Sequence, residues 1–264
     1  MRLLVTGGRH GYLGSHVVGA ARAAGHDVVP VGSADADLRD AAAVDAVLAS
    51  VRPDAVVHTA YVQADWQVTA TGSAHLAVAA ARNGARMVLV SSDVVFSGAD
   101  GVYAESAPPD PITAYGAAKA AAETVVRAVC PGAVVARTSL ILGDGRSPHE
   151  QLVHAMAGGA DGALFADEMR CPVHVADLAA ALVEVAGDDL TGVLHVGGAD
   201  ALSRLELGRL VARRDGLDAG VLRSGNRAAM GVPGPIDVRL DSSLAADLLR
   251  TRLRGAREFL AVGL

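Results

Sequence analysis

The chain has 264 residues, of which 51% are hydrophobic, 20% charged and 3% aromatic, and its formal net charge is −6. This is the composition of an ordinary globular protein with an aliphatic core, long enough for one large α/β domain or for a large and a small lobe. The acidic balance argues against a nucleic-acid or anionic-membrane partner, since the only basic cluster, Arg209, Arg213 and Arg214, is too short for an electrostatic footprint.

The first expected strand, Leu3–Thr6, runs into Gly8-x-x-Gly11-x-x-Gly14 and a helix over 12–24. Strands at Val28–Val31, Ala55–His58, Met87–Ser91 and Val134–Thr138 then alternate with helices over 41–51, 70–83 and 113–129. The strands are continuous apolar runs rather than alternating ones, as expected when both faces of a parallel sheet are buried. Strand–helix alternation of this kind predicts an α/β, doubly wound Rossmann sheet with right-handed crossovers. Beyond Gly143 the rhythm loosens. Helices are expected over 148–157, 175–186, 203–214, 242–249 and 253–261, with short strands near 193–196 and 236–240. The resulting division is a nucleotide-binding domain over 1–142 and a smaller C-terminal substrate lobe over 143–264, partly woven back into the first. Repeats and low-complexity linkers are absent.

Glycines between a strand and a helix permit a tight turn and let backbone N–H groups approach a pyrophosphate at the helix N-terminus. A glycine triplet alone is a weak signal, but the strand before it and the helix after it make this one strong. The second strand ends Val31-Gly32-Ser33-Ala34, with no acid until Asp35. A ribose-binding carboxylate is expected at that point. Its absence favours NADP over NAD, with Arg9, His10 and Ser33 as receivers of the 2′-phosphate and Asp37-Leu38 at the adenine edge. After the fourth strand comes Ser91-Ser92-Asp93, where the Ser92 hydroxyl could bond a substrate carbonyl. A plain Ser-Ser-Asp turn is an equal alternative.

Tyr115 and Lys119 carry the most information. Lys119 is the only lysine among 23 Lys+Arg residues, so an arginine-rich chain has kept the one cation that is a compact point charge. Four-residue spacing sets both side chains on one helical face. An ammonium there is expected to lower the phenol pKa and make Tyr115 a usable acid and base. The spacing by itself also occurs by chance, with Lys119 as a surface residue.

Other features read as bland. His149-Glu150-x-x-x-His154 spaces its histidines by five rather than the four of a zinc helix, so no metal is expected. Asp167-Glu168 reads as loop decoration, and Cys171-Pro172 as packing or turn chemistry. The arginines over 250–257 read as a solvated helix face. Two cysteines make no disulfide framework and fit a reduced cytoplasmic protein. No run reaches the roughly 18 apolar residues of a membrane span, and the N-terminus lacks a signal-peptide layout.

Several segments together resemble the extended short-chain dehydrogenase/reductase family, within it the dTDP-4-dehydrorhamnose reductase branch. They are Leu4-Val5-Thr6-Gly7 with the glycines, Asp54–Ala60, Val90–Gly98, Gly101–Glu105, Pro111-x-x-x-Tyr115-Gly116-x-x-Lys119-Ala120-x-x-Glu123, Arg137-Thr138-Ser139, Pro172–Ala179 and Arg239–Ser243. The resemblance covers nearly the whole chain. It implies a triad in which Ser92 polarises a carbonyl, Tyr115 donates the proton, and Lys119 holds the nicotinamide ribose and tunes the tyrosine. The further expected cofactor contacts are Tyr12, Leu13, Thr59, Ala60, Tyr61, Ser91, Thr138 and Ser139, alongside Gly8, Gly11 and Gly14. The sequence departs from the family pattern at His58–Tyr61, Thr69, Val94 and over 63–68, where substrate would lie, so a substrate other than the rhamnose precursor is open.

The function expected is therefore NAD(P)H-dependent reduction of a ketone, either a keto-sugar nucleotide or a secondary-metabolite intermediate. Ser92, Val94 and Phe96 are expected around the substrate, with Arg170 for an anionic group and Trp66 for an apolar or ring surface. A nucleotide-binding regulatory subunit with a vestigial triad and an epimerase of the same superfamily are the rivals. Small-molecule substrate is the only partner implied, and a homodimer is possible.

Overall fold

The computed structural model describes residues 1–261. Its centre is a six-stranded sheet of β1 (Arg2–Thr6), β2 (Asp27–Val31), β3 (Ala55–His58), β4 (Arg86–Ser92), β6 (Val134–Thr138) and β11 (Gly192–His195), in the order β11-β6-β4-β3-β1-β2. Every pairing in it is parallel. Between β4 and β6, a short strand β5 (Gly101–Tyr103) leaves the sheet.

The continuous apolar runs have a simple cause. Leu3, Val5, Val57, Val88 and Val90 point into one core layer, with α1 (Tyr12–Ala23) and α6 (Val175–Ala186). Leu4, Val56, Met87 and Leu89 point into the opposite layer, under α2 (Ala41–Val51), α3 (Gly72–Arg82) and α4 (Ala114–Val129). Successive side chains alternate faces and both faces are covered, so each position must be apolar. Local signals set the helix starts. Asp40 accepts from Ala42 N and Ala43 N at the head of α2, and Thr113 accepts from Gly116 N at the head of α4.

The rest of the chain builds a smaller cluster around α5 (Pro148–Ala157) and α7 (Arg204–Arg214), with Leu142, Val153, Leu164, Leu207 and Val211 at its centre. Its strands are short pairs: β7 (Ile141–Leu142) with β10 (Val173–His174), β8 (Leu164–Phe165) with β13 (Ser224–Gly225), and β9 (Met169–Arg170) with β12 (Leu202–Ser203). Another, β14 (Val238–Leu240), returns to pair with β5. The helices α8 (Ser243–Leu248) and α9 (Ala256–Phe259) are shorter than expected over 242–249 and 253–261. The strand expected near 193–196 is β11, the sixth strand of the main sheet.

In this strand order the connections run toward opposite edges from β1 and β3. Ligands of open α/β sheets bind outside the carboxyl ends of the strands at such a switch point.

Candidate active site

A cavity of about 1030 Å³ lies along the carboxyl ends of β1, β2, β3, β4 and β6, and is closed on the far side by residues of the smaller cluster. At one end Gly7, Gly11, Tyr12, Leu13 and Gly14 line it. Gly11 is the N-cap of α1 and offers no side-chain cap, so the helix's first amides are left for a ligand. A Cβ at Gly14 would run into the Gly7 carbonyl oxygen, and one at Gly11 would come within 2.6 Å of it. Only glycine permits so tight a turn.

Ser33, Asp37 and Leu38 line the cavity beyond β2, and Thr59, Ala60 and Tyr61 line it beyond β3. Ser91 and Ser92 end β4, while Thr138 and Ser139 close β6; all four line the wall. Tyr115 and Lys119 reach it from α4. The structure thus brings together three residues from two elements: Ser92 at a strand end, and Tyr115 with Lys119 one turn apart.

The electrostatics of this wall differ from expectation. Burial pushes the Tyr115 phenol well above its ordinary range, helped by Tyr61 and Asp93; the hydrogen bond from Ser92 opposes the rise. This direction is opposite to the acidification expected from Lys119. Lys119 is itself buried, which lowers its pKa to about 8, while Glu123 acts in the opposite direction. Its Nζ donates to Val90 O at 3.0 Å and lies 5.2 Å from the Tyr61 ring centre and 6.0 Å from that of Tyr115. Behind it Glu123 and Arg137 form a buried ion pair, 2.8 Å apart. Ser91 Oγ donates to Glu123 Oε1 at 2.5 Å.

The opposite wall holds what the sequence reading missed. Glu168 is 3% exposed, so it is no loop ornament. It sits 3.4 Å from Arg170, 3.2 Å from Arg204 and 2.9 Å from Arg227, and all four line the cavity. Arg170 also donates to the carbonyls of Met169, Ile236 and Pro235 and approaches Asp93 at 3.5 Å. Its guanidinium is largely spent on holding the strands together. Arg204 and Arg227 come from distant parts of the chain and carry no local motif. His149, set aside as a failed zinc pattern, lines the cavity as well; His154 instead pairs with Asp215 at 2.6 Å. Among the described residues no group of three or more His, Cys, Asp and Glu is arranged to hold a metal.

Five expected site residues do not line the cavity. Gly8 is turned into the β1–α1 junction, where a Cβ would sit 2.8 Å from Val5 O. Arg9 is held by Asp35, its Nη2 2.6 Å from Oδ1, and His10 is exposed outside the cavity. Phe96 is fully buried and stacked on Tyr103 with ring centres 4.1 Å apart. Trp66 is 48% exposed and stands outside the wall, although Asp65 and Val68 belong to it. Val94 does line it. The arginine at the β2 end is Arg39, gripping Asp37 at 2.6 Å and holding its carboxyl down at about 2.

A doubly wound parallel sheet, a glycine turn into α1, and a strand-end serine beside Tyr-x-x-x-Lys define an extended short-chain dehydrogenase/reductase fold. More narrowly, the chain belongs to the RmlD substrate binding domain family, whose model matches residues 1–259. It is 34% identical over 253 residues to a dTDP-4-dehydrorhamnose reductase of Mycobacterium tuberculosis, covering 89% of this chain and 82% of the relative. It is 33% identical over 251 residues to a probable dTDP-4,6-dihydroxy-2-methyloxan-3-one 4-ketoreductase of Streptomyces antibioticus, covering 89% and 84%. Among solved structures, the dTDP-4-dehydrorhamnose reductase of Bacillus anthracis in complex with NADP superposes with a TM-score of 0.88 at 23% identity, covering 98% of this chain and 96% of that one.

Proposed function

We propose that this protein reduces a keto-sugar nucleotide with a nicotinamide cofactor, NADPH in preference to NADH. The observation that carries the reading is one continuous cavity joining a glycine phosphate loop, a Ser92/Tyr115/Lys119 wall and an arginine-lined far side. The names of the relatives, dTDP-4-dehydrorhamnose and related keto-sugar reductases, point the same way.

The residues present fit a dinucleotide. Gly7, Gly11, Tyr12 and Leu13 would hold its pyrophosphate at the uncapped start of α1, and Thr59–Tyr61, Thr138 and Ser139 would flank its nicotinamide half. Bound there, it supplies the hydride for the carbonyl carbon. Ser92 donates a hydrogen bond to the carbonyl oxygen and orients the ketone. Tyr115, kept protonated by burial, is the acid, and its phenolic proton passes to the same oxygen to complete the alcohol. The Lys119 charge then faces a newly formed phenolate in a dry site, where it stabilises most. A raised phenol pKa suits this direction, because the acid must carry its proton before the step.

The test is NADPH oxidation with dTDP-4-dehydrorhamnose and related dTDP-linked 4-ketones. Wild type should turn over, and Tyr115→Phe should lower kcat by about two to four orders of magnitude while keeping its fold by circular dichroism. A wild type that binds NADPH but reduces no nucleotide-linked ketone would instead favour the regulatory-subunit alternative.

A further inference from the structure

Helix α5 starts with Pro148-His149, and the capping box of Ser147 and Glu150 fixes that start. His149 is 7% exposed and lines the cavity between two α5 neighbours, Pro148 and Leu152. Among the described residues, its Nε2 is the one buried side-chain polar atom without a hydrogen-bond partner.

The other ring nitrogen settles the proton. Arg204 Nη1 donates to His149 Nδ1 at 3.3 Å. A guanidinium has only donors, so Nδ1 must accept, and in the neutral ring the hydrogen sits on Nε2. Burial, with the Arg204 charge, lowers the imidazolium pKa to about 3, so the ring is neutral at any ordinary pH. Arg204 is itself fixed by Glu168, 3.2 Å from its Nε. The chain Glu168–Arg204–His149 therefore orients one neutral N–H donor that nothing in the protein receives. Buried donors are normally paired, and an unpaired one in a cavity wall points to an acceptor on the ligand.

Its surroundings choose the acceptor. A dianionic phosphate is served by cationic donors, and Arg204 and Arg227 stand nearby for that. His149 offers a single uncharged donor beside two apolar side chains one turn apart. That suits the edge of a flat, carbonyl-bearing ring. We infer that His149 Nε2–H, with Pro148 and Leu152, forms the subsite for the pyrimidine base of the substrate's nucleotide, donating to a ring carbonyl oxygen. The inference rests on the keto-sugar nucleotide reading above.

The test compares binding of thymidine diphosphate and of inorganic pyrophosphate by calorimetry to wild type, His149→Phe and His149→Gln. Phe keeps the ring volume without the donor, and Gln keeps an N–H in a similar place. His149→Phe should weaken thymidine diphosphate about 5- to 30-fold, the scale of one lost hydrogen bond, and leave pyrophosphate unchanged. Its KM for a dTDP-linked ketone should rise by a similar factor with kcat unchanged, and His149→Gln should recover most of the loss. His149→Leu gives the same readout if Phe overpacks the site. Equal losses for both ligands, no loss in the donor-free variants, or a Gln variant as weak as Phe would overturn the inference while leaving the reductase reading intact. A wild type that binds no thymidine diphosphate would overturn both.

Discussion

Lys119 is charged at a cost to the fold. Its pKa falls from the ordinary lysine value to about 8 because burial disfavours the ammonium. With the folded pKa below the unfolded one, the unfolded chain holds more protons between about pH 8 and 10.5. Stability from this group therefore rises with pH across that window, and the penalty is fully present below it. Lys119→Met should stabilise the protein at pH 7 by about 1–3 kcal/mol, less at pH 10, while reduction is lost. Urea melts at both pH values check this; a destabilised Met variant would show that the Val90 bond outweighs the burial penalty. The presence of Tyr115 and Lys119 was legible because a lone lysine in an arginine-rich chain stands out. Their electrostatics were not legible, because burial, and after it the charges of Tyr61 and Asp93 on Tyr115, come from segments that only the fold brings against them. His149 failed for the same reason, since its partner Arg204 is 55 residues away.

At the scale of elements, the apolar runs and the Gly-rich turn set out the main sheet, its flanking helices and the glycine turn into α1. What they could not set out is which side of a loop faces the cavity. Arg9 and Arg39 both flank the end of β2, but Asp35 ties Arg9 down outside the cavity, with Gly32 N also donating to that carboxylate at 2.8 Å. Arg39 remains at the rim with Ser33, paired to Asp37 and 3.9 Å from Asp65. Arg39→Ala should thus weaken NADPH more than NADH, while Arg9→Ala weakens both little. Titrating both nucleotides against both variants decides it, and equal losses in Arg39→Ala would remove it as the reader of the 2′-phosphate. Arg170→Ala is expected to cost stability more than substrate affinity, since its bonds run to backbone carbonyls of β9 and residues 235–236.

At the scale of the whole molecule, the two parts of the chain share structure rather than merely touch. Strand β11, beyond residue 190, completes the main sheet beside β6, and β14 pairs with β5. Tyr12 Oη donates to Asp144 at 2.8 Å, and His16 meets the same carboxylate at 3.0 Å, joining α1 to the loop before α5. Unfolding should therefore be a single transition, with fluorescence of the sole tryptophan, Trp66, and far-ultraviolet dichroism giving one midpoint. Separate midpoints would show two independent units. The strand near 193–196 was legible as a strand, but its place was not, because sheet pairing between distant segments leaves no local trace. That pairing also bears on how the protein is made. While the nascent chain emerges, β6 is the open edge of a five-stranded sheet, and its partner at Gly192–His195 is still more than fifty residues from synthesis. An unpaired Val134–Thr138 edge is a template for the wrong strand. Until Gly192–His195 has been made, that edge has no strand of its own to cover it.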